Sequence, residues 1–229
     1  MSLYLFLLLF SIAIPFALSF DKKVRFYKMW KSVLPSIIII GALFILKDVY
    51  FTRLGIWGFN AAYISNTRLM GLPVEEWLFF LVIPYASIFL HYVILYYYPD
   101  WQLSNKFVVI FTWTLIVMLI AAIGFNYKKT YTLVVLCLVV FSLMLALSDK
   151  TRILNRFFIS FLIILVPFFI FNGVLTGTFI HEEVVWYNPS EITGIRLLTV
   201  PVEDIGYAFS LLLLNLLLIN NFQKLFKQQ

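Results

Sequence analysis

The sequence predicts an all-α integral membrane protein of seven transmembrane helices, built as two parallel three-helix repeats joined by a connector helix (3+1+3). Three observations carry that expectation. The 229 residues are 63% hydrophobic and only 12% charged, whereas soluble domains carry about 25% charged residues. Seven apolar runs approach the roughly 20 residues that a helix needs to cross a bilayer. The tetrapeptide Pro73-Val74-Glu75-Glu76 returns 128 residues later as Pro201-Val202-Glu203-Asp204, and self-similarity at a fixed period is the mark of a duplicated unit.

The runs fall at 2–20, 33–51, 73–98, 107–125, 130–148, 157–177 and 201–221. The first lacks the basic leader and small-residue cleavage site of a signal peptide and reads as a retained helix. The second ends on Asp48-x-x-x-Thr52, a spacing that puts both polar groups on one helical face. The third opens on the Pro-Val-Glu-Glu motif, because proline and acids suit the first turn of a helix. The fourth is the odd helix, which restores the starting orientation. Helices five to seven repeat the first three, with Asn172-x-x-x-Thr176 ending the sixth and Pro-Val-Glu-Asp opening the seventh. The expected units are therefore 1–98, a connector 99–129, and 130–229.

Between 60–76 and 188–204, seven of 17 positions are identical, among them Asn60/Asn188, Arg68/Arg196 and Glu75/Glu203. The Asp48/Asn172 pair matches at an offset of 124, so the second unit holds four extra residues around His181-Glu182-Glu183. Parallel repeats put both acidic motifs at one depth and on one side, facing each other.

The net charge of +6 does not indicate nucleic acid, since the basic residues sit in short loops at helix ends and set topology. With the N-terminus outside and the C-terminus cytoplasmic in a cell membrane, eleven basic residues face inward and six (Lys47, Arg53, Arg68, Lys128, Lys129, Arg196) outward. Eight of the eleven acids lie at the outer helix ends. The single Cys137 forms no intrachain disulfide.

Ionisable groups in membrane segments are costly and mark a site. The candidate catalytic residues are Glu75, Glu76, Glu203 and Asp204. Asp48, Thr52, Asn60, Arg68, Asn172, Thr176, Asn188 and Arg196 are supporting polar groups. Neighbouring residues on a helix diverge by about 100°, so one acid of each pair is expected to face a cavity and the other to meet Arg68 or Arg196. Phe79, Phe80, Tyr85 and Tyr207 are expected to line the cavity, where aromatic faces stabilise cations. Asn215 reads as helix–helix glue and His91 as interfacial. No dinucleotide or P-loop motif is present and no His/Cys cluster suggests a metal, so neither cofactor nor metal is expected.

The stretches Phe51–Asn60, Leu72–Phe80 and Ile83-Pro84 resemble the first half of the membrane-integral lycopene cyclases. Asn172–Gly177, Val185–Asn188, Gly194–Arg196 and Val200–Asp204 resemble the second half. The resemblance implies a fused single-chain form of the heterodimeric lycopene β-cyclases, a non-redox enzyme that closes the ψ-ends of lycopene into β-rings. It implies lycopene or a related acyclic or monocyclic carotene as partner, with membrane lipid. On that substrate, Glu75 or Glu203 is expected to protonate C2 and a carboxylate of the opposite repeat to remove the C6 proton. The alternatives are a proton-coupled permease and a non-catalytic carotenoid-binding membrane protein. A retinal photoreceptor is excluded because the only lysines after position 201, Lys224 and Lys227, lie past the membrane core.

Overall fold

Seven α-helices account for most of the chain in the computed structural model, which describes residues 1–227. They are α1 (Leu3–Leu18), α2 (Trp30–Arg53), α3 (Val74–Tyr97), α4 (Asn105–Asn126), α5 (Thr130–Ser148), α6 (Leu154–Leu175) and α7 (Val202–Lys227). Six are long and apolar enough to span a membrane. The exception is α1, whose 16 residues advance about 24 Å at 1.5 Å per residue. A 3₁₀ turn, Phe26–Met29, leads into α2. The protein is thus a multi-pass helical membrane protein.

Three small two-stranded ribbons depart from the all-α expectation, two of them local hairpins and one a long-range pairing. Strands β2 (Arg68–Leu69) and β3 (Leu72–Pro73) form a tight hairpin before α3, and β5 (Arg196–Leu197) and β6 (Val200–Pro201) form its counterpart before α7. Both turns place a side-chain-bearing residue, Met70 and Leu198, at positive φ. Strands β1 (Trp57–Phe59) and β4 (Val185–Tyr187) pair antiparallel with each other. Their register is centred on Gly58 and Trp186, residues that correspond at the 128-residue offset. A Cβ on Gly58 would lie 2.5 Å from the Trp186 ring, so glycine is required there. The flanking bonds repeat the same two-fold relation: Asn60 N–H donates to Val184 O and Asn188 N–H to Ile56 O, both at 2.9 Å.

This ribbon ties the two halves together at the end of the bundle where α3 and α7 begin. Below it, α1 packs on α3 and α5 on α7, while α2 crosses to α7 and α6 to α3. Helix α4 leans on α5 and leaves much of its apolar surface exposed, including Ile110, Val117, Met118 and Ile120. In lipid such exposure costs nothing, because the acyl chains are as apolar as the side chains.

Candidate active site

The two acids of each motif point in different directions and do different work. Glu75 accepts from Ser2 Oγ (2.6 Å), from the Ser65 backbone N–H (2.7 Å) and from Ser65 Oγ (3.0 Å). Glu203 accepts from Thr132 Oγ1 (2.7 Å) and the Thr193 N–H (2.6 Å). Each of these carboxyls clamps the loop ahead of its hairpin and ties it to the start of α1 or α5. Neither lines the central cavity.

The second acids turn inward. Glu76 accepts a hydrogen bond from Tyr4 Oη at 2.7 Å. Asp204 accepts two, from Tyr131 Oη (2.7 Å) and Tyr187 Oη (2.8 Å). Tyr4 and Tyr131 occupy matching places near the starts of α1 and α5. Asp48, in the last turns of α2, accepts from Tyr207 Oη at 2.7 Å and pairs with Lys47 Nζ at 2.7 Å. All three acids are buried and line one cavity of about 780 Å³. That volume lies within the roughly 300–1,000 Å³ typical of small-molecule sites. The tyrosine hydroxyls fix the direction in which these carboxyls point. Tyr187 lies in the ribbon outside the spans; burial, and then the Asp204 carboxyl beside it, push its hydroxyl well above the ordinary value. It therefore stays protonated and donates to Asp204.

Sequence reasoning missed the tyrosines Tyr4, Tyr131 and Tyr187 that donate to the acids, and it read Lys47, the partner of Asp48, as a topology-setting charge. Its ammonium lies 4.0 Å from the centroid of the Tyr207 ring, and 5.1 and 5.6 Å from those of Phe51 and Phe44. This aromatic box, with Asp48 beside it, offsets the desolvation of the cation. The signal was its position next to Asp48, inside an apolar run.

The remaining candidates divide. Phe79, Tyr207 and Asn172 line the cavity together with Trp57 and Tyr187. Phe80 is buried in a separate cluster against Phe44 and Leu72. Tyr85 bonds Ser19 Oγ (2.5 Å) and accepts from Trp30 Nε1 (3.1 Å) between α1 and α2. Arg68 and Arg196 do not meet the acids. Each is exposed and donates across its own hairpin turn, to Gly71 O and Thr199 O. Their repetition reflects the hairpin, which the sequence reading lacked. Asn60 and Asn188 cap turns through Ala62 N–H and Ser190 N–H, and Asn60 also donates to Glu182. Thr176 bonds Asn172 O and Thr199 Oγ1, while Thr52 Oγ1 is buried without a partner among the described residues. Asn215 joins helices as expected, accepting from Ser36 Oγ at 3.0 Å. His91 is not interfacial: it is buried, with Nδ1 2.6 Å from Ser160 Oγ on α6.

Fold and site together define a membrane-embedded protein in which carboxyl and tyrosine groups crown a long apolar cavity. The family model described as lycopene cyclase matches residues 1–94 and 128–222. The chain belongs to the lycopene cyclase family, whose enzymes act in carotenoid cyclisation, and the two matched stretches fit the internal duplication. Neither a curated protein nor a solved structure matches the chain.

Proposed function

We propose that the protein is a lycopene β-cyclase that closes ψ-ends by acid–base catalysis in the cavity under Glu76 and Asp204. The observation that carries this is the convergence of Glu76, Asp204 and Asp48, drawn from both repeats, on one apolar cavity. Glu76 has a single donor and no cationic partner, and we assign it as the proton donor to C2 of the terminal C1=C2 bond. The C1 cation is attacked by the C5=C6 bond, which closes the six-membered ring and leaves positive charge at C5. Asp204, which accepts from two tyrosine hydroxyls, is assigned as the base that removes the C6 proton and completes the β-ring. One proton enters and one leaves, and no electrons are transferred. Carboxyls in unlike surroundings divide acid and base roles in this way.

Aromatic walls, including Phe79 and Phe171, favour the passing cations, and the apolar surroundings keep water from capturing them. This reading moves the donor from Glu75 or Glu203 to their neighbours, since the clamped acids do not reach the cavity. It takes the bundle as two parallel units, 1–98 and 130–229, around connector α4, with α1 as a seventh, tilted or recessed span. The ribbon end then faces outside and the C-terminus the cytoplasm of a cell membrane.

Expression in bacteria that accumulate lycopene, followed by chromatography of the pigments, tests the proposal. The expected products are monocyclic and bicyclic β-ring carotenes. Unchanged lycopene, with the protein present and folded in the membrane, would refute it, and a permease or a non-catalytic carotenoid binder would take its place.

A further inference from the structure

The cavity is not confined to the acids. From Glu76 it continues along one face of α3 through Ile83, Ala86, Leu90 and Val93 to Tyr97. Over that run α3 advances about 32 Å at 1.5 Å per residue, close to the roughly 30 Å hydrocarbon thickness of a bilayer. α1 lines about 21 Å of the groove, from Tyr4 to Leu18, the segment after it adds Asp21 and Val24, and α6 supplies the third wall over a similar length from Leu175 to Phe161.

α7 borders the same cavity through Tyr207, Ala208, Leu211 and Leu212, and the path that would match the groove, between α7, α5 and α2, is pinched at two points. Gly206 brings α7 so close to α5 that a Cβ there would lie 2.9 Å from Val135 Cγ1; at the corresponding place α3 carries Leu78. Lower down, Asn215 of α7 bonds Ser36 of α2. Ser160, the counterpart of Ser36 at the 124-residue offset, instead bonds His91, one turn beyond Ser87, the counterpart of Asn215. The α3–α6 seam is therefore fastened further down. Small Ala86 and Ser87 are left lining the groove where α7 has Leu214 and Asn215.

We infer that the two repeats share a single polyene groove between α1, α3 and α6, which holds one outstretched carotenoid with one end at the acids and selects substrates by chain length. The inference rests on the cyclase reading. It requires a substrate with two ψ-ends to leave and return reversed for its second ring, so the monocyclic carotene is a released intermediate.

The test places a large side chain far from the chemistry. Val93→Trp lies about 25 Å along α3 from Glu76, with Leu90→Trp as a second site should the first variant fold poorly. Membrane yield and helical circular dichroism report folding. Purified proteins are given lycopene or a polyene of half its length ending in the same ψ group, and both bound and converted pigment are measured. The expected result is a loss of at least ten-fold in lycopene conversion with the short polyene converted within two-fold of wild type. Phe141→Trp on α5, away from the cavity and 54% exposed, is expected to change neither. Equal loss on both substrates, no loss on either, or an equal effect of Phe141→Trp would overturn the single groove. Wild-type protein that binds lycopene, loses that binding in Val93→Trp, and converts neither substrate would leave the groove standing and remove the cyclase reading.

Discussion

The two repeats place a buried carboxyl at the same point, yet they dress it differently, and the difference lies in a handful of side chains. Tyr187 donates to Asp204, whereas Phe59, its counterpart, offers Glu76 nothing and instead lies 6.4 Å from the Tyr4 ring in a stacked arrangement. The polar trio Lys47, Asp48 and Tyr207 is matched by Phe171, Asn172 and Phe79. Phe79 and Phe171 have ring centroids 6.1 Å apart and form an apolar wall. Duplication thus supplied two equivalent carboxyls, and the exchange of a few hydroxyls and charges for rings made their environments unequal. Unlike surroundings decide which of two carboxyls starts as the acid and which as the base.

Several substitutions break or sharpen this contrast, and the largest effect is expected from Asp204→Asn. General acid–base groups contribute roughly 10²–10⁴-fold, and a loss of that size in ring formation, with lycopene still bound, is expected in initial-rate measurements on reconstituted protein. Next comes the tyrosine exchange. Tyr187→Phe makes the Asp204 side resemble the Glu76 side, and removal of one charge-assisted bond worth about 1.5–3 kcal/mol predicts a rate loss on the order of ten-fold or more. Phe59→Tyr runs the exchange the other way. By giving Glu76 a second donor it is expected to slow proton donation several-fold, read as a lower initial rate of ring formation than wild type at equal folded protein.

A smaller effect, and on stability instead of chemistry, is expected for Glu203→Gln. This variant weakens the clamp between α5 and the hairpin loop by about 1–3 kcal/mol, read as faster thermal inactivation in detergent at little cost to the initial rate. The smallest belongs to Arg68→Ala, an exposed brace across a two-residue turn, with an expected change within about 0.5 kcal/mol.

Much of this was written in the chain. Apolar runs and the 128-residue period fixed the helices and the duplication, because lipid forces backbone groups to pair within a helix and leaves a long hydrophobic signature. The ribbons were not legible: strands of two or three residues carry no periodicity, and β1 and β4 pair across about 128 residues of chain. With the short hairpins unseen, the repeated arginines read as partners of the acids when they brace turns. Adjacent acids were expected to diverge, but which one faced inward depended on the loops that clamp Glu75 and Glu203. The mismatches at 59/187 and 79/207 were visible in the aligned repeats, though attention to identities alone passed over them. Lys47 was hidden by the rule that basic residues near helix ends set topology.

In the proposed mechanism Glu76 performs the chemistry while its neighbour Glu75 holds structure. Specific activity on lycopene, normalised to folded protein, measured for Glu76→Gln beside Glu75→Gln, addresses it directly. The predicted result is a loss of at least about 10²-fold for Glu76→Gln, with Glu75→Gln retaining activity and losing thermal stability. Full activity in Glu76→Gln, or collapse of activity in a well-folded Glu75→Gln, would contradict it.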